Sequence, residues 1–277
     1  MSALKRIAAV QMASGPNVAA NLNEVGRWIS YAADAGAELV VLPENFATMA
    51  LQQTDLLSVK ENAGSGTIQD FLSKMAEKHR VWLVAGTIPI ATQSPDKVRS
   101  ACLIYNPLGE VVARYDKIHL FDVSLSDDEE YNESDVIEPG DNILVLDTPF
   151  GKMGVAVCYD LRFPEMFRRM LDDGLDLIVL PAAFTAITGK AHWEPLVRAR
   201  AIENISYVVA AAQGGYHVNG RETYGQSMIV DPWGNILDQL PNGSGFVIAD
   251  MDKNKLQDIR KHFPALTHRR LPCDIKK

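Results

Sequence analysis

The stretch Gly36-Ala-Glu-Leu-Val-Val-Leu-Pro-Glu-Asn-Phe46 returns later in the chain as Gly174-Leu-Asp-Leu-Ile-Val-Leu-Pro-Ala-Ala-Phe184. Each copy reads as a buried strand, an apolar run rich in β-branched side chains that is entered through glycine and ended by proline. A second pair follows the same logic, because Asn106-Pro-Leu-Gly109 and Asp231-Pro-Trp-Gly234 both read as hairpin turns between apolar runs. The chain is written twice.

Working outward, the first half predicts strand 5–11, helix 19–35, strand 38–43, helix 67–79, strand 81–88 and a hairpin of strands 100–106 and 111–117. The second half predicts strand 152–158, helix 164–173, strand 176–181, helix 191–204, strand 206–213 and a hairpin of strands 225–231 and 235–240. Strand–helix–strand steps demand parallel pairing with right-handed crossovers, whereas the hairpins add antiparallel strands. Each half should make a mixed sheet with helices on one face, and the two bare faces can be buried together. The expected fold is α/β, a four-layer αββα sandwich of two mixed β-sheets with an internal pseudo-two-fold repeat; the alternative is one doubly wound sheet. One domain is expected over residues 1–277, with halves of about 1–120 and 143–250 and a C-terminal tail at 252–277. The polar connection 120–142, with Asp127-Asp-Glu-Glu130, reads as a solvated loop.

With 277 residues and 47% hydrophobic content, the chain can bury a sizeable core. Its 35 acidic and 27 basic residues give a formal charge of −8, which repels phosphate backbones and anionic lipid. Neither nucleic acid nor a membrane is an expected partner; a small molecule is. The three cysteines, Cys102, Cys158 and Cys273, have no paired spacing, so neither a disulfide framework nor a metal site is implied. The first apolar run, after Lys5-Arg6, is too short for a signal peptide, and a cytoplasmic protein is expected.

Cys158 closes the run Lys152-Met-Gly-Val-Ala-Val-Cys158 and precedes Tyr159-Asp-Leu-Arg-Phe-Pro-Glu165, so a thiol sits where a strand hands over to a helix. In α/β sheets ligands bind at such strand ends. Free cysteine is also among the most buried residue types, so position alone leaves nucleophile and packing residue open.

The exceptions to the repeat carry more information. Leu-Pro-Glu44-Asn-Phe becomes Leu-Pro-Ala182-Ala-Phe in the second copy, so Glu44 is not needed to end the strand and its carboxylate is a candidate for acid–base work. Lys117, in Arg114-Tyr-Asp-Lys117-Ile-His-Leu-Phe-Asp122, has no lysine counterpart in Leu237-Asp-Gln-Leu240. Taken singly, the ordinary fates are an exposed loop glutamate and a snorkelling lysine. Together, three strand ends offer a base, a cation and a nucleophile, the parts that acyl transfer through cysteine requires.

These motifs, Leu-Pro-Glu44-Asn-Phe, Tyr-Asp-Lys117-Ile-His-Leu-Phe-Asp and Gly-Val-Ala-Val-Cys158-Tyr-Asp-Leu-Arg-Phe-Pro-Glu165, resemble in kind and order those of the nitrilase, or carbon–nitrogen hydrolase, superfamily. The resemblance spans nearly the whole chain. It implies the αββα fold, amide hydrolysis to acid and ammonia through a cysteine thioester, no cofactor, and a homodimer or higher homo-oligomer. Glu133, in Asn132-Glu-Ser-Asp-Val-Ile-Glu-Pro-Gly140, matches by position a second glutamate beside the lysine and nucleophile. The implied oxyanion donors are Lys117 and a backbone N–H just after the cysteine, at Tyr159. Phe184, Thr185 and His192 fall in the loop expected to bind substrate.

Within the superfamily, His119-Leu-Phe-Asp-Val123, Phe184-Thr-Ala-Ile-Thr-Gly-Lys-Ala-His-Trp-Glu194, Arg198-Ala-Arg200-Ala-Ile-Glu203 and Tyr224-Gly-Gln-Ser-Met228 resemble the deaminated glutathione amidase branch. The ω-amidase branch, acting on α-ketoglutaramate or α-ketosuccinamate, shares much of this pattern, and N-carbamoyl amidohydrolysis is a further alternative. Lys190 departs from the branch pattern, which has proline there.

Other chemistries find little support. Gly225-Gln-Ser227-Met-Ile lacks the second glycine of a nucleophile elbow, and Gly64-Ser-Gly66-Thr-Ile-Gln69 fails a dinucleotide fingerprint. No histidine pair has the His-Glu-x-x-His spacing, so His119 and His192 are read as fold or pocket residues. Arg198 and Arg200 are expected to pair with Glu194 and Glu203, and Trp193 to be a core or interface side chain. A catalytically silent scaffold, the reading outside enzymology, would not need to keep Glu44, Lys117 and Cys158 together.

Overall fold

Alternation along the first strand sets the layers. In β1 (Lys5–Gln11), Ile7 and Ala9 face one way and Ala8 and Val10 the other, and all four are fully buried. A strand buried on both faces needs a helix layer on one side and a second sheet on the other. The computed structural model, which describes residues 4–126 and 129–271, shows this arrangement.

The first half runs β1, α1 (Val18–Asp34), β2 (Leu39–Val41), α2 (Thr67–His79), β3 (Trp82–Val84), β4 (Ile88–Ala91), β5 (Val98–Tyr105) and β6 (Val111–Asp116). β1, β2 and β3 are parallel, and β4 and β6 pair antiparallel with β5. α1 starts where the Asn17 side chain accepts the Ala20 N–H, and it buries Leu22, Val25, Ile29 and Ala32 at helical spacing against Ala8, Val10 and Val40. Each fully buried large side chain contributes roughly 1.5–3 kcal/mol.

The second half repeats the plan with β9 (Leu144–Thr148), β10 (Gly151–Val155), α3 (Pro164–Met170), β11 (Leu177–Ala182), α4 (Ala186–Asn204), β12 (Tyr207–Ala212), β15 (Ser227–Val230) and β16 (Ile236–Leu240). Its sheet order is β16-β15-β12-β11-β10-β9. Ile7, Ala9, Leu39, Val41 and Val84 of the first sheet share one core with Val155, Val179, Val209 and Ala211 of the second. The fold is the expected four-layer αββα sandwich.

Several elements depart from the sequence reading. The strand expected over 81–88 is cut in two at Gly86, whose φ is +52° and where a Cβ would lie 2.1 Å from the Pro43 carbonyl oxygen. α4 begins five residues before the expected 191, because the Thr185 side chain caps it by accepting the Thr188 N–H. The polar connection 120–142 is not simply a solvated loop: it holds the hairpin of β7 (Asp122–Ser126) and β8 (Glu129–Asn132) and the 3-10 turn Glu133–Asp135. A second small hairpin pairs β13 (Gly214–Tyr216) with β14 (Glu222–Tyr224).

Two further strands that were not anticipated tie the halves together. β9 leads into the second half and pairs antiparallel with β10. Its counterpart β17 (Gly245–Met251) ends the second half but crosses to the first sheet, pairing antiparallel with all of β1 from Lys5↔Met251 to Gln11↔Gly245. α5 (Lys253–His262) then lies back on the second half, where Arg260 pairs with Asp176 at 2.7 Å and donates to the Ile205 carbonyl. Cys273 lies outside the described residues.

Candidate active site

Three strand ends meet between the sheets. β2 runs into Pro43 and Glu44, and the following turn is held by Asn45 at φ +57°, whose N–H donates to Thr87 Oγ1 at 3.0 Å. Buried Gln213 fixes the same turn from the second sheet: its Nε2 donates to the Glu44 carbonyl at 3.0 Å and to Ser14 Oγ at 2.7 Å. Glu44 is left with only 2% exposure.

Lys117 follows β6, its backbone held by Ser100 and Gly140. Its ammonium is 1% exposed and donates to Glu44 Oε1 at 2.8 Å and to both oxygens of Glu133, at 2.9 and 2.7 Å. Glu133 Oε2 also accepts the Phe121 N–H at 2.8 Å, which fixes that carboxylate. Burial alone would lower the Lys117 pKa, but the charges of Glu133 and Glu44 outweigh it and the net shift is upward. The ammonium therefore stays charged at any physiological pH.

Cys158 opens the 3-10 turn Cys158–Arg162 with φ +47°, a conformation that L side chains rarely adopt. Asp160, fully buried, holds this turn. It accepts the Val157 N–H at 2.8 Å, the Tyr115 hydroxyl at 2.6 Å, and the His119 N–H and Nδ1–H at 3.1 and 2.6 Å. One carboxylate thereby ties the cysteine turn to both sides of Lys117. Burial pushes the Cys158 thiol well above its ordinary range; the neighbouring Glu44 carboxylate, to which the thiol donates, adds to the rise, while Lys117 and the Ala183 N–H oppose it. The net upward shift favours the protonated thiol, with the Glu44 carboxylate beside it.

The structure thus brings Glu44, Lys117, Glu133 and Cys158 together. A narrow cavity at the sulfur is walled by Glu44, Glu133, Tyr159, Phe184 and Thr185, and by Arg162 and Arg221. It opens past Phe121, Glu133 and Arg221 into a wider cavity of about 510 Å³. Phe184 packs on Trp193, and the Thr185 hydroxyl bonds Thr188 Oγ1 at 2.9 Å. His192 is absent from both walls; its Nδ1 lies 3.1 Å from Arg162 Nη1. Trp193 is a core residue that donates to the Gln226 carbonyl, and Arg198 and Arg200 pair with Glu194 and Glu203 as helical spacing suggested.

Sequence reasoning passed over Asp160, Arg162 and Arg221. The first two stand inside the quoted cysteine motif, but their partners lie on other elements. Arg221 follows the turn dipeptide Asn219-Gly220, and nothing in its neighbours marks it.

A buried thiol, carboxylate and ammonium meet at adjoining strand ends of an αββα sandwich, the parts that acyl transfer through cysteine requires. Residues 6–261 match the carbon-nitrogen hydrolase family, and the chain belongs to it: this is an enzyme that hydrolyses amides. It is 41% identical over 271 residues to the deaminated glutathione amidase of Yersinia enterocolitica, covering 97% of this chain and 94% of that one. It is 42% identical over 266 residues to the protein of the same name from Synechocystis, covering 95% and 97%. Among solved structures, Saccharomyces cerevisiae Nit3, a member of branch 10 of the nitrilase superfamily, superposes with a TM-score of 0.85 at 31% identity, covering 94% of each chain. No described helix is long and apolar enough to cross a membrane.

Proposed function

We propose that this enzyme hydrolyses deaminated glutathione, with Cys158 as nucleophile, Glu44 as general base and acid, and Lys117 as oxyanion donor. The carrying observation is the burial of a protonated thiol beside the Glu44 carboxylate, with the Lys117 ammonium bonded to that same carboxylate. Because the resting sulfur is neutral, attack requires a base in contact with it. Glu44 takes the thiol proton as sulfur bonds to the amide carbon. The carbonyl π electrons move to oxygen, where Lys117 and the Tyr159 N–H stabilise them, a contribution of roughly 3–4 kcal/mol per donor.

Glu44 then gives its proton to the leaving nitrogen, and the C–N bond breaks to leave a thioester. The leaving group is ammonia for a primary carboxamide and the cysteinylglycine amine for deaminated glutathione. Glu44 next deprotonates a water, whose oxygen attacks the thioester. The C–S bond breaks, the acid departs and the proton returns to sulfur. Glu133 orients Lys117 and balances its charge. Phe184 and Thr185 shape the acyl pocket, and His192 acts on it only through Arg162.

ω-Amidase chemistry on α-ketoglutaramate uses the same steps and is the second reading; the shared narrow cavity favours it equally for the acyl half. A homodimer and a cytoplasmic location are further parts of the proposal, tested by sedimentation and by fractionation.

Mass spectrometry of the enzyme mixed rapidly with substrate tests the mechanism. Wild type should show a transient acyl adduct on Cys158, Cys158→Ala none, and Glu44→Gln either none or one that persists. Full turnover by Cys158→Ala would end the thioester reading.

A further inference from the structure

We propose that Arg221 is the specificity-determining residue that binds a carboxylate carried on the leaving amine of the substrate. The inference rests on the amidase reading and assigns the wide cavity to the leaving group. An enzyme that released only ammonia would need no second chamber, yet here about 510 Å³ of space adjoins the thiol pocket. Arg221 borders both chambers and stands where they meet.

Arg221 is the one cation on the described wall of the wide cavity. The carboxylates on that wall are engaged elsewhere: Glu133 with Lys117, Glu130 with Asn132 Nδ2 at 3.0 Å, and Glu222 with the Tyr216 hydroxyl. Arg221 itself has no carboxylate partner among the described residues. Its guanidinium lies 5.1 Å from the Tyr131 ring centre and one Nη donates to the Ala183 carbonyl, but Nε is buried and meets no acceptor. A buried donor without a partner is uncommon, and an anion that reached the guanidinium would supply the missing acceptor.

The side chain is also held in place. Its hairpin is pinned through His217, whose Nδ1 meets the Ser14 carbonyl at 2.8 Å and whose Nε2 meets Thr223 Oγ1 at 2.7 Å. Burial lowers the His217 pKa, so the ring is neutral, donating at Nδ1 and accepting at Nε2. The Ala183 peptide that accepts from Arg221 directs its N–H at the Cys158 sulfur, so the guanidinium and the nucleophile are braced by the same peptide. Arg162, by contrast, borders only the narrow chamber and stacks over Phe184. The two cations divide the substrate: the acyl end meets Arg162, and the leaving end meets Arg221.

The test compares two substrates with the same acyl group, α-ketoglutaryl-cysteinylglycine and its C-terminal amide, on wild type, Arg221→Gln and Arg221→Lys. Wild type should prefer the free acid in kcat/KM by roughly 10- to 100-fold, the usual worth of a charged hydrogen-bonded pair, expressed in KM. Arg221→Gln should bring that ratio close to one, and Arg221→Lys should restore part of it. A ratio unchanged in Arg221→Gln, whatever happens to the absolute rates, would overturn the assignment and place Arg221 at the acyl end or in the scaffold. If wild type turned over neither peptide nor α-ketoglutaramate, the amidase reading itself would fall and the assignment with it.

Discussion

Replacing Lys117 by methionine removes the cation that bridges two carboxylates that are 3% and 15% exposed, while nearly preserving volume. The lysine makes three charged hydrogen bonds, at 2.8, 2.9 and 2.7 Å. Breaking one buried pair by deleting a partner costs about 3–5 kcal/mol, and here the deletion also leaves Glu44 and Glu133 facing each other, so the upper end applies at pH 7. The sign of the pH dependence is the sharper result. In the wild type the folded-state pKa of Lys117 is raised, so its contribution is fully present below the unfolded value and is lost only in strong alkali. In Lys117→Met one carboxylate is relieved by taking up a proton, so the variant should gain stability relative to wild type as pH falls from about 8 to about 5. Urea unfolding across that range, with constant m-value, measures both effects, and Lys117→Met with Glu133→Gln should recover about half the loss. A single variant within about 1 kcal/mol of wild type at pH 7, with no pH dependence, would refute a buried ion cluster. On the role proposed for Lys117 as oxyanion donor, turnover should fall by roughly 100- to 1000-fold.

Two further outcomes follow from the same geometry. Because burial and Glu44 both raise the Cys158 pKa, Glu44→Gln should move the pH profile of its alkylation by iodoacetamide to lower pH and Lys117→Met to higher pH; the opposite order would contradict the contacts. Asp160→Asn keeps the shape of a side chain that accepts four hydrogen bonds but turns part of it into a donor facing donors. A loss of about 2–4 kcal/mol is expected, with a lower kcat and a slower alkylation of Cys158; unchanged thermal stability would show that Asp160 does not hold the turn.

What could be read from the sequence follows where the physical signal is local. The strand Leu39–Val41 and its copy Leu177–Ala182 are continuous apolar runs because both faces are buried, and no other role fits them. Glu44 and Lys117 stood out because each breaks a repeat that the scaffold otherwise keeps, and Cys158 because it sits where a strand hands over to a helix. β9 and β17 did not stand out: they lie at sheet edges, are only partly buried and carry charges, so their apolar pattern is thin. Asp160 and Arg221 depend on partners such as Tyr115 and Ala183, 45 and 38 positions away, which no local pattern reveals. The acidic stretch around Glu130 resembles a solvated loop because its order comes from Phe121 packing on Tyr131 and from Glu133 reaching Lys117.

The pairing of β17 with β1 also sets the timetable of synthesis. Lys5 leaves the ribosome long before its partner Met251 is made. At roughly 5–20 residues per second, the free edge of β1 waits on the order of 10 to 50 seconds for its cover. During that interval Ile7 through Val10 present an apolar strand with unpaired backbone groups, the kind of surface that recruits holding chaperones or a neighbouring nascent chain. A ribosome that stalls late on this message would release a chain whose first sheet is complete except for its edge, a species poised for aggregation rather than partial activity.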